Sequence, residues 1–327
     1  MKTQYSLFAA CAPIIALVVT LLLTRLMLRS PLFSKIQDIP NARSLHESPV
    51  PRFGGLALML GILTAWFLLA NPLTQGLYAG VIFLMLLSLM DDLRDLPSMW
   101  RLLGHSVVAI GFVGLGLGHL PIYWAVMFAV GLVWMINLYN FMDGANGLAG
   151  GMAVIGFGFY VLAAFFFGDV QFALMNLVIV ASSLAFLTFN FGRAKVFMGD
   201  AGSVPLGFLA AAIGLIGWQK GIWPLLFPLI VFSSFIMDAT VTLFKRLLRG
   251  EKVWEAHREH YYQRVIQMGW SHQKTALLEY GMMTISGIVA LLSLHLSLLY
   301  AALLLFAFFS MMFFIMYLVD VKWRKYA

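Results

Sequence analysis

Apolar runs of membrane-spanning length recur along nearly the whole chain, with only short polar gaps between them. A helix needs about 20 mostly apolar residues to cross the hydrocarbon of a bilayer. Eleven such runs stand near residues 5–28, 54–70, 75–90, 102–118, 121–140, 148–167, 170–189, 202–217, 222–244, 276–295 and 298–319. With 62% of 327 residues hydrophobic and 11% charged, the apolar side chains exceed what one aqueous core buries. The first run is longer than the apolar stretch of a secretory signal and reads as an uncleaved anchor. Cys11, the single cysteine, lies inside it, which excludes a disulfide framework and a thiolate metal site.

Orientation follows from the basic residues. With the N-terminus outside, cytoplasmic segments fall near 25–53, 91–101, 137–147, 190–201, 245–275 and the C-terminal tail. Of the 21 Lys and Arg, only Lys2 and Lys220 then lie outside, the asymmetry that the positive-inside rule describes. The expected fold is all-α: one polytopic membrane domain over residues 1–327, with about eleven transmembrane helices, an outside N-terminus and a cytoplasmic C-terminus. The net charge of +7 then reflects topology and attraction to lipid headgroups. No nucleic-acid motif accompanies it.

Four polar islands fall on the inner side, in the segments 91–101, 137–151, 190–203 and 245–275. "MDDLRDLPSMWR" ends the third run. On a helix Asp91 and Asp95 share a face while Asp92 points about 100° away; alone, the group reads equally well as a solvated helix end with Arg94 and Arg101 as partners. In "NLYNFMDGANGL", Asn137, Asn140 and Asp143 recur every three residues and line one side of a final helical turn. Gly144 and Gly147 then let the backbone break and approach a ligand closely. Carboxylate and amide oxygens suit a hard cation such as Mg²⁺; an amide-rich cap and turn is the plainer alternative. "AKVFMGDAGS" sets Asp200 at the entrance to the eighth run, where an acid also serves as a helix cap. His257 and His260 in "HREHYYQR" have i, i+3 spacing, but no third nitrogen or sulfur ligand for zinc stands nearby. With Arg258 and Arg264 beside them, they suit an anion better. Asp238 sits about 10 Å deeper than Lys245 at helical rise; it either faces a polar cleft or is paired within the bundle.

In this order, "DDLRD", "NLYNFMDGANGL", "AKVFMGDAGS" and "HREH", with "IPNARSLHESPVPRFGG" after the first run, resemble the polyprenyl-phosphate N-acetylhexosamine-1-phosphate transferases, glycosyltransferase family 4. The resemblance extends from about residue 36 to residue 264, and its two central motifs are the most specific. It implies a multi-pass enzyme of the bacterial inner membrane with a cytoplasmic active site. Such an enzyme moves an N-acetylated amino-sugar 1-phosphate from a UDP-sugar to undecaprenyl phosphate, releases UMP, requires Mg²⁺ with Mn²⁺ as a substitute, and is compatible with a homodimer. Carried onto this sequence, the resemblance puts the metal on Asn140 and Asp200 and makes Asp91, Asp92 and Asp143 the catalytic carboxylates. It gives Asn146 to the uracil, Phe197 to stacking on that base, and Arg101 to the diphosphate. His257, Arg258 and His260 become the loop that closes on the nucleotide sugar. "HREH" departs from the muramyl-pentapeptide branch, whose loop carries consecutive histidines. It is more similar to O-antigen initiating enzymes that use GlcNAc or a 6-deoxy amino sugar such as FucNAc or QuiNAc.

The chemistry is consistent with this resemblance, because phosphoryl transfer depends chiefly on positioning and on neutralising phosphate oxygens. Direct attack by the lipid phosphate is the expected route, with a covalent carboxylate intermediate as the alternative. A transporter or flippase is the competing class. Transport sites usually set ionisable groups near the bilayer midplane, whereas the acids here gather at one boundary.

Overall fold

The computed structural model describes residues 7–31, 33, 37–40, 49–69, 72–94, 96–118, 120–255 and 257–326. Lys2, Asp95 and residues 41–48 between the first two runs lie outside the described residues.

Helices α1 (Leu7–Arg29), α2 (Gly54–Leu69), α3 (Pro72–Arg94), α4 (Ser98–Gly116), α5 (Ile122–Phe141), α6 (Leu148–Phe166), α7 (Val170–Asn190) and α8 (Asp200–Gln219) match the first eight apolar runs. α12 (His272–Ser293) and α13 (Leu298–Tyr326) match the last two. The ninth run, expected as one span over 222–244, is instead divided into α9 (Leu226–Val231) and α10 (Ser233–Leu248). The two pieces are separated by the single residue Phe232 (φ −95°, ψ 13°), whose N–H still bonds to the Pro228 carbonyl at 3.1 Å. A short α11 (Tyr261–Gln267) lies between α10 and α12, and β1 (Gln37–Asp38) pairs antiparallel with β2 (Val50–Pro51), an addition to the all-α expectation.

Nine of the described helices are long and apolar enough to cross a membrane, and α2 is a shorter apolar helix of 16 residues. Large apolar side chains stay exposed around the outside, Leu115 at 94%, Leu298 at 89% and Phe67 at 78%. That exposure suits lipid and would be untenable in water. The chain is a multi-pass membrane protein. α8 is its centre, 89% buried in its apolar window against 17% for α13, and it packs on α2, α3, α5, α6 and α9.

Hydrogen bonds stitch the apolar helices together. Trp66 Nε1 donates to the Met175 carbonyl at 2.9 Å, the Tyr160 hydroxyl to the Ala210 carbonyl at 3.0 Å, and Thr20 Oγ1 to Ser182 Oγ at 3.1 Å. Tyr160, Trp223 and Phe227 stack with centroids 4.8 to 6.2 Å apart.

The start of α8 is fixed by close backbone approach. Gly54 and Gly55 donate to the carbonyls of Phe197 and Met198 at 2.9 and 2.8 Å, and Phe197 donates to the Pro51 carbonyl at 2.7 Å. A Cβ on Gly55 would lie 2.3 Å from Gly202 Cα, and one on Gly202 would lie 2.5 Å from Gly55 Cα. Only glycines permit this contact. Gly55→Ala is therefore expected to cost about 1–3 kcal/mol through overpacking, read as a lower thermal unfolding midpoint in detergent. Gly111→Ala on α4, where an added Cβ meets nothing within 4 Å, is expected to leave the midpoint unchanged.

Candidate active site

At the end of the bundle where α3, α5 and α8 meet the loops, the chain gathers four of its acids. Asp91 and Asp92 stand in the last turn of α3, Asp200 opens α8, and Asp143 lies just past the end of α5. The sequence placed Asp143 within the last helical turn. α5 in fact ends at Phe141, but the Asp143 N–H still bonds to the Asn140 carbonyl at 3.0 Å, which keeps the two residues together.

Two arginines answer these carboxylates. Arg101 Nη1 lies 3.1 Å from Asp91 Oδ2 and 3.6 Å from Asp200 Oδ2, and so bridges α3 and α8 from the first turn of α4. The other Asp91 oxygen accepts the Leu96 N–H at 2.8 Å. Arg52 Nε lies 3.4 Å from Asp92 Oδ1, and its Nη2 reaches the Asp92 carbonyl at the same distance. Asp92 Oδ2 is buried with no hydrogen-bond partner among the described residues. The Asn140 side chain hydrogen-bonds to Asp200. Asp143 accepts the Gly199 N–H, yet loss of solvent and then the Asp200 carboxylate hold its acid well above the ordinary carboxylate range. Among the described residues no three His, Cys, Asp or Glu side chains form a protein cage for a metal.

Two loops flank this cluster and are locked to one another. Gly147, at φ +82°, begins α6 in the left-handed region that glycine tolerates. Its N–H donates to Asn190 Oδ1 at 2.7 Å, while Asn190 Nδ2 donates to the Val196 carbonyl at 2.9 Å. Asn146 Nδ2 donates to the Gly192 carbonyl at 2.8 Å. Tyr280 and Tyr262 donate to the carbonyls of Gly147 and Phe141 at 2.7 and 3.0 Å. Asn146 and Phe197 are thus carried on the two loops beside the acids, 142–147 and 191–199.

The "HREH" segment is held differently. Asp238 is paired, not open to a cleft: its oxygens accept the N–H groups of Tyr261 (2.8 Å) and Tyr262 (3.0 Å) at the start of α11 and lie 3.3 Å from His260 Nδ1. His260 is buried and stacks on Phe141 and on Tyr262, each at 6.0 Å. Arg258 is exposed. His257 is half-buried, its ring 4.8 Å from that of His260. Glu259, between them, is ion-paired to Arg246 at 3.1 Å and to Arg249, with Arg264 at 3.6 Å.

A cleft of about 840 Å³ opens beside the acids. Arg101, Asn140 and Asp200 line one end; Ile110, Ala129 and Val130 line the other. From Arg101 to Ile110 the wall descends α4 by nine residues, about 13 Å at helical rise.

Sequence reasoning singled out neither Arg52 nor Asn190. Each stands in a polar segment between runs, and each acquires its own task only from a partner, 40 residues away for Arg52 and 43 for Asn190.

Loss of solvent, then His260 and Arg246, lower the His257 pKa to about 4. An unfolded imidazole takes up its proton near pH 6.5, so between about pH 6.5 and 4 the unfolded chain binds the extra proton. Stability from this site is complete above that window and falls as pH drops through it. We expect ring resonances of labelled His257 to titrate near pH 4, and His257→Gln to remove part of the acid-side loss of stability. A midpoint near 6.5 would contradict the placement of the ring.

The family described as glycosyl transferase family 4 matches residues 74–218. The chain is 29% identical over 292 residues to the "Probable undecaprenyl-phosphate N-acetylglucosaminyl 1-phosphate transferase" of Bacillus subtilis (strain 168), over 82% of this chain and 80% of that protein. It is 30% identical over 293 residues to the "Decaprenyl-phosphate N-acetylglucosaminephosphotransferase" of Mycobacterium leprae (strain TN), over 74% of this chain and 72% of that one. A "Phospho-N-acetylmuramoyl-pentapeptide-transferase" of Staphylococcus saprophyticus is 26% identical over 316 residues, 85% of this chain and 97% of its own. By these likenesses, and with the motifs that carry them gathered at one end of a multi-pass bundle, the chain belongs to the polyprenyl-phosphate hexosamine-1-phosphate transferase family.

Proposed function

We infer that this protein transfers an N-acetylated amino-sugar 1-phosphate from a UDP-sugar to undecaprenyl phosphate at the cytoplasmic face of a bacterial inner membrane. It releases UMP and begins an O-antigen or related envelope polysaccharide. The observation that carries this reading is the cleft with Arg101, Asn140 and Asp200 at one end and an apolar wall at the other. Such a shape suits a substrate with an anionic head and a hydrocarbon tail, and the tail can remain in the bilayer while the head meets a water-soluble donor.

The donor set fits a divalent cation. Asp200 and the Asn140 amide would hold Mg²⁺, with Asp143 and the unpartnered Oδ2 of Asp92 in the same cluster. Among the described residues the four acids there exceed their two arginine partners, so a cation would relieve repulsion. When bound, Mg²⁺ neutralises diphosphate oxygens, which complete a coordination shell that few protein atoms supply.

The residues of the chain supply the positioning. Arg101 can release its long contact to Asp200 and take a phosphate oxygen while Asp91 holds its other side. Both Asp91 oxygens are engaged, by Arg101 and by the Leu96 N–H, which favours an orienting role over a nucleophilic one. The lipid phosphate then attacks the sugar-bearing phosphorus directly, and UMP departs with the bridging oxygen. Phe197 stacks on the uracil and Asn146 bonds to its edge, from loops that Asn190 holds in register. His257 and Arg258 meet the sugar phosphate, and His260 sets that segment against Phe141.

UMP release by the purified protein tests this, with undecaprenyl phosphate, Mg²⁺ and UDP-GlcNAc, UDP-FucNAc, UDP-QuiNAc or UDP-MurNAc-pentapeptide as donors. We expect release that requires the lipid phosphate, is served by an amino-sugar donor other than the pentapeptide, and is abolished in Asp200→Ala. Arg101→Ala is expected to lower kcat about a hundredfold, the scale for losing one transition-state charge contact. Absence of release with every donor in a folded, lipid-supplied sample would overturn the reading.

A further inference from the structure

The first of the two loops beside the acids is also held from the start of α12. Ser271 caps that helix, its side chain accepting the Lys274 N–H at 3.2 Å. His272, the next residue, reaches a partner 126 positions away in the chain: its Nδ1 accepts the Asn146 N–H at 3.3 Å. Accepting at Nδ1 puts the ring hydrogen of the neutral imidazole on Nε2. About two turns further along α12, Tyr280 donates to the Gly147 carbonyl at 2.7 Å and stacks on Phe191 of the second loop at 6.1 Å. A Cβ on Gly151 would lie 1.9 Å from the Tyr280 ring, so α6 and α12 are in direct contact here.

These bonds hold two neighbouring residues for different ends. Gly147 is anchored through its N–H by Asn190 and through its carbonyl by Tyr280, and it has no side chain to present to a ligand. Asn146 presents one. A single N–H of its amide is spent on the Gly192 carbonyl, while its Oδ1 and second N–H make no other hydrogen bond among the described residues. A side-chain amide in that condition offers one donor beside one acceptor, the complement of the N3–H and an adjacent carbonyl of uracil. Where this pair points depends on the tilt of the peptide that leads into Asn146. The bond to His272 fixes that tilt.

We propose that His272 is a positioning residue for the donor nucleotide: it holds the Asn146 N–H and so aims the Asn146 amide at the uracil edge. This rests on the transferase reading and extends the UDP-sugar site to the start of α12, in the polar segment that also carries "HREH". The ring acts through Asn146 and takes no part in phosphoryl transfer. Its loss therefore weakens capture of the donor and of UMP and leaves the lipid site alone.

Initial rates of UMP release from the full-length enzyme test the proposal, with UDP-sugar and undecaprenyl phosphate varied in turn and UMP added as an inhibitor. His272→Ala is expected to raise the donor KM and the UMP inhibition constant about tenfold, the scale of leaving one partly buried donor unpaired. The lipid KM stays within twofold. Asparagine sets its side-chain oxygen where Nδ1 stands, so His272→Asn is expected to recover most of the loss. His272→Leu keeps bulk without the acceptor and carries the test if the alanine variant does not fold. Lys274→Ala removes the neighbouring ammonium that lies 4.1 Å over the Trp270 ring and leaves the Asn146 bond in place; its donor KM is expected within twofold of wild type. A donor KM within twofold of wild type in His272→Ala and His272→Leu overturns the assignment of His272 alone, as do lipid and donor KM rising together, or an equal rise in Lys274→Ala or His272→Asn. A wild-type enzyme that releases no UMP overturns the transferase reading, and this proposal with it.

Discussion

Repulsion among Asp91, Asp92, Asp143 and Asp200 is the constraint around which this end of the protein is organised. The four carboxylates converge from α3, from α8 and from the segment after α5, at the edge of a medium that solvates charge poorly. Arg101 and Arg52 answer part of that charge: Arg101 pairs with Asp91 of α3 and reaches Asp200 of α8, and Arg52 holds Asp92 by its carboxylate and its carbonyl. The remainder is visible as an unpartnered oxygen on Asp92 and as a raised proton affinity at Asp143. A site left in that condition is prepared for cations and for the polyphosphates that accompany them.

Such a cluster keeps its geometry only if the loops that carry it are held. Burying the Gly55–Gly202 contact fixes the start of α8 against α2, so Asp200 is positioned by backbone packing before any side chain is considered. Asn190 ties the two flanking loops to each other, and Tyr262 and Tyr280 tie the first of them to α11 and α12. Asp238 does the same for the "HREH" segment by capping α11 from the side of α10. A second network extends this outward, where Asp320 of α13 pairs with Lys245 and Arg264. Loops that would be mobile on a soluble scaffold are therefore fastened to membrane helices by buried polar bonds.

Much of the architecture was legible in the sequence, because the apolar run that specifies a membrane helix is a local property. Every one of the eleven runs corresponds to helix. The break at Phe232 was not legible, since the run around it is long enough to read as one span. The acids of the cluster were legible less singly, since each could serve as a helix end or cap, than through the order of their motifs along the chain. What escaped depends on distant pairing. Asp238 looked like a charge of uncertain purpose until the N–H groups of Tyr261 and Tyr262 were seen to occupy it. Arg52 and Asn190 lie in polar segments with no periodic signature, and their roles follow from which helix end or loop the fold sets beside them.

The central claim is that the acceptor lipid lies in the cleft between α4 and α5 with its phosphate at Arg101 and Asp200. Photocrosslinking with a polyprenyl phosphate bearing a reactive group along its chain measures this directly, with crosslinked peptides identified by mass spectrometry and competed by undecaprenyl phosphate. The account predicts competed crosslinks on the cleft wall, at Ile110 of α4 and at Ala129, Val130 and Val133 of α5. Competed crosslinks confined to the separate apolar groove of α5, α8 and α9, around Met127, Leu215 and Leu229, would contradict it.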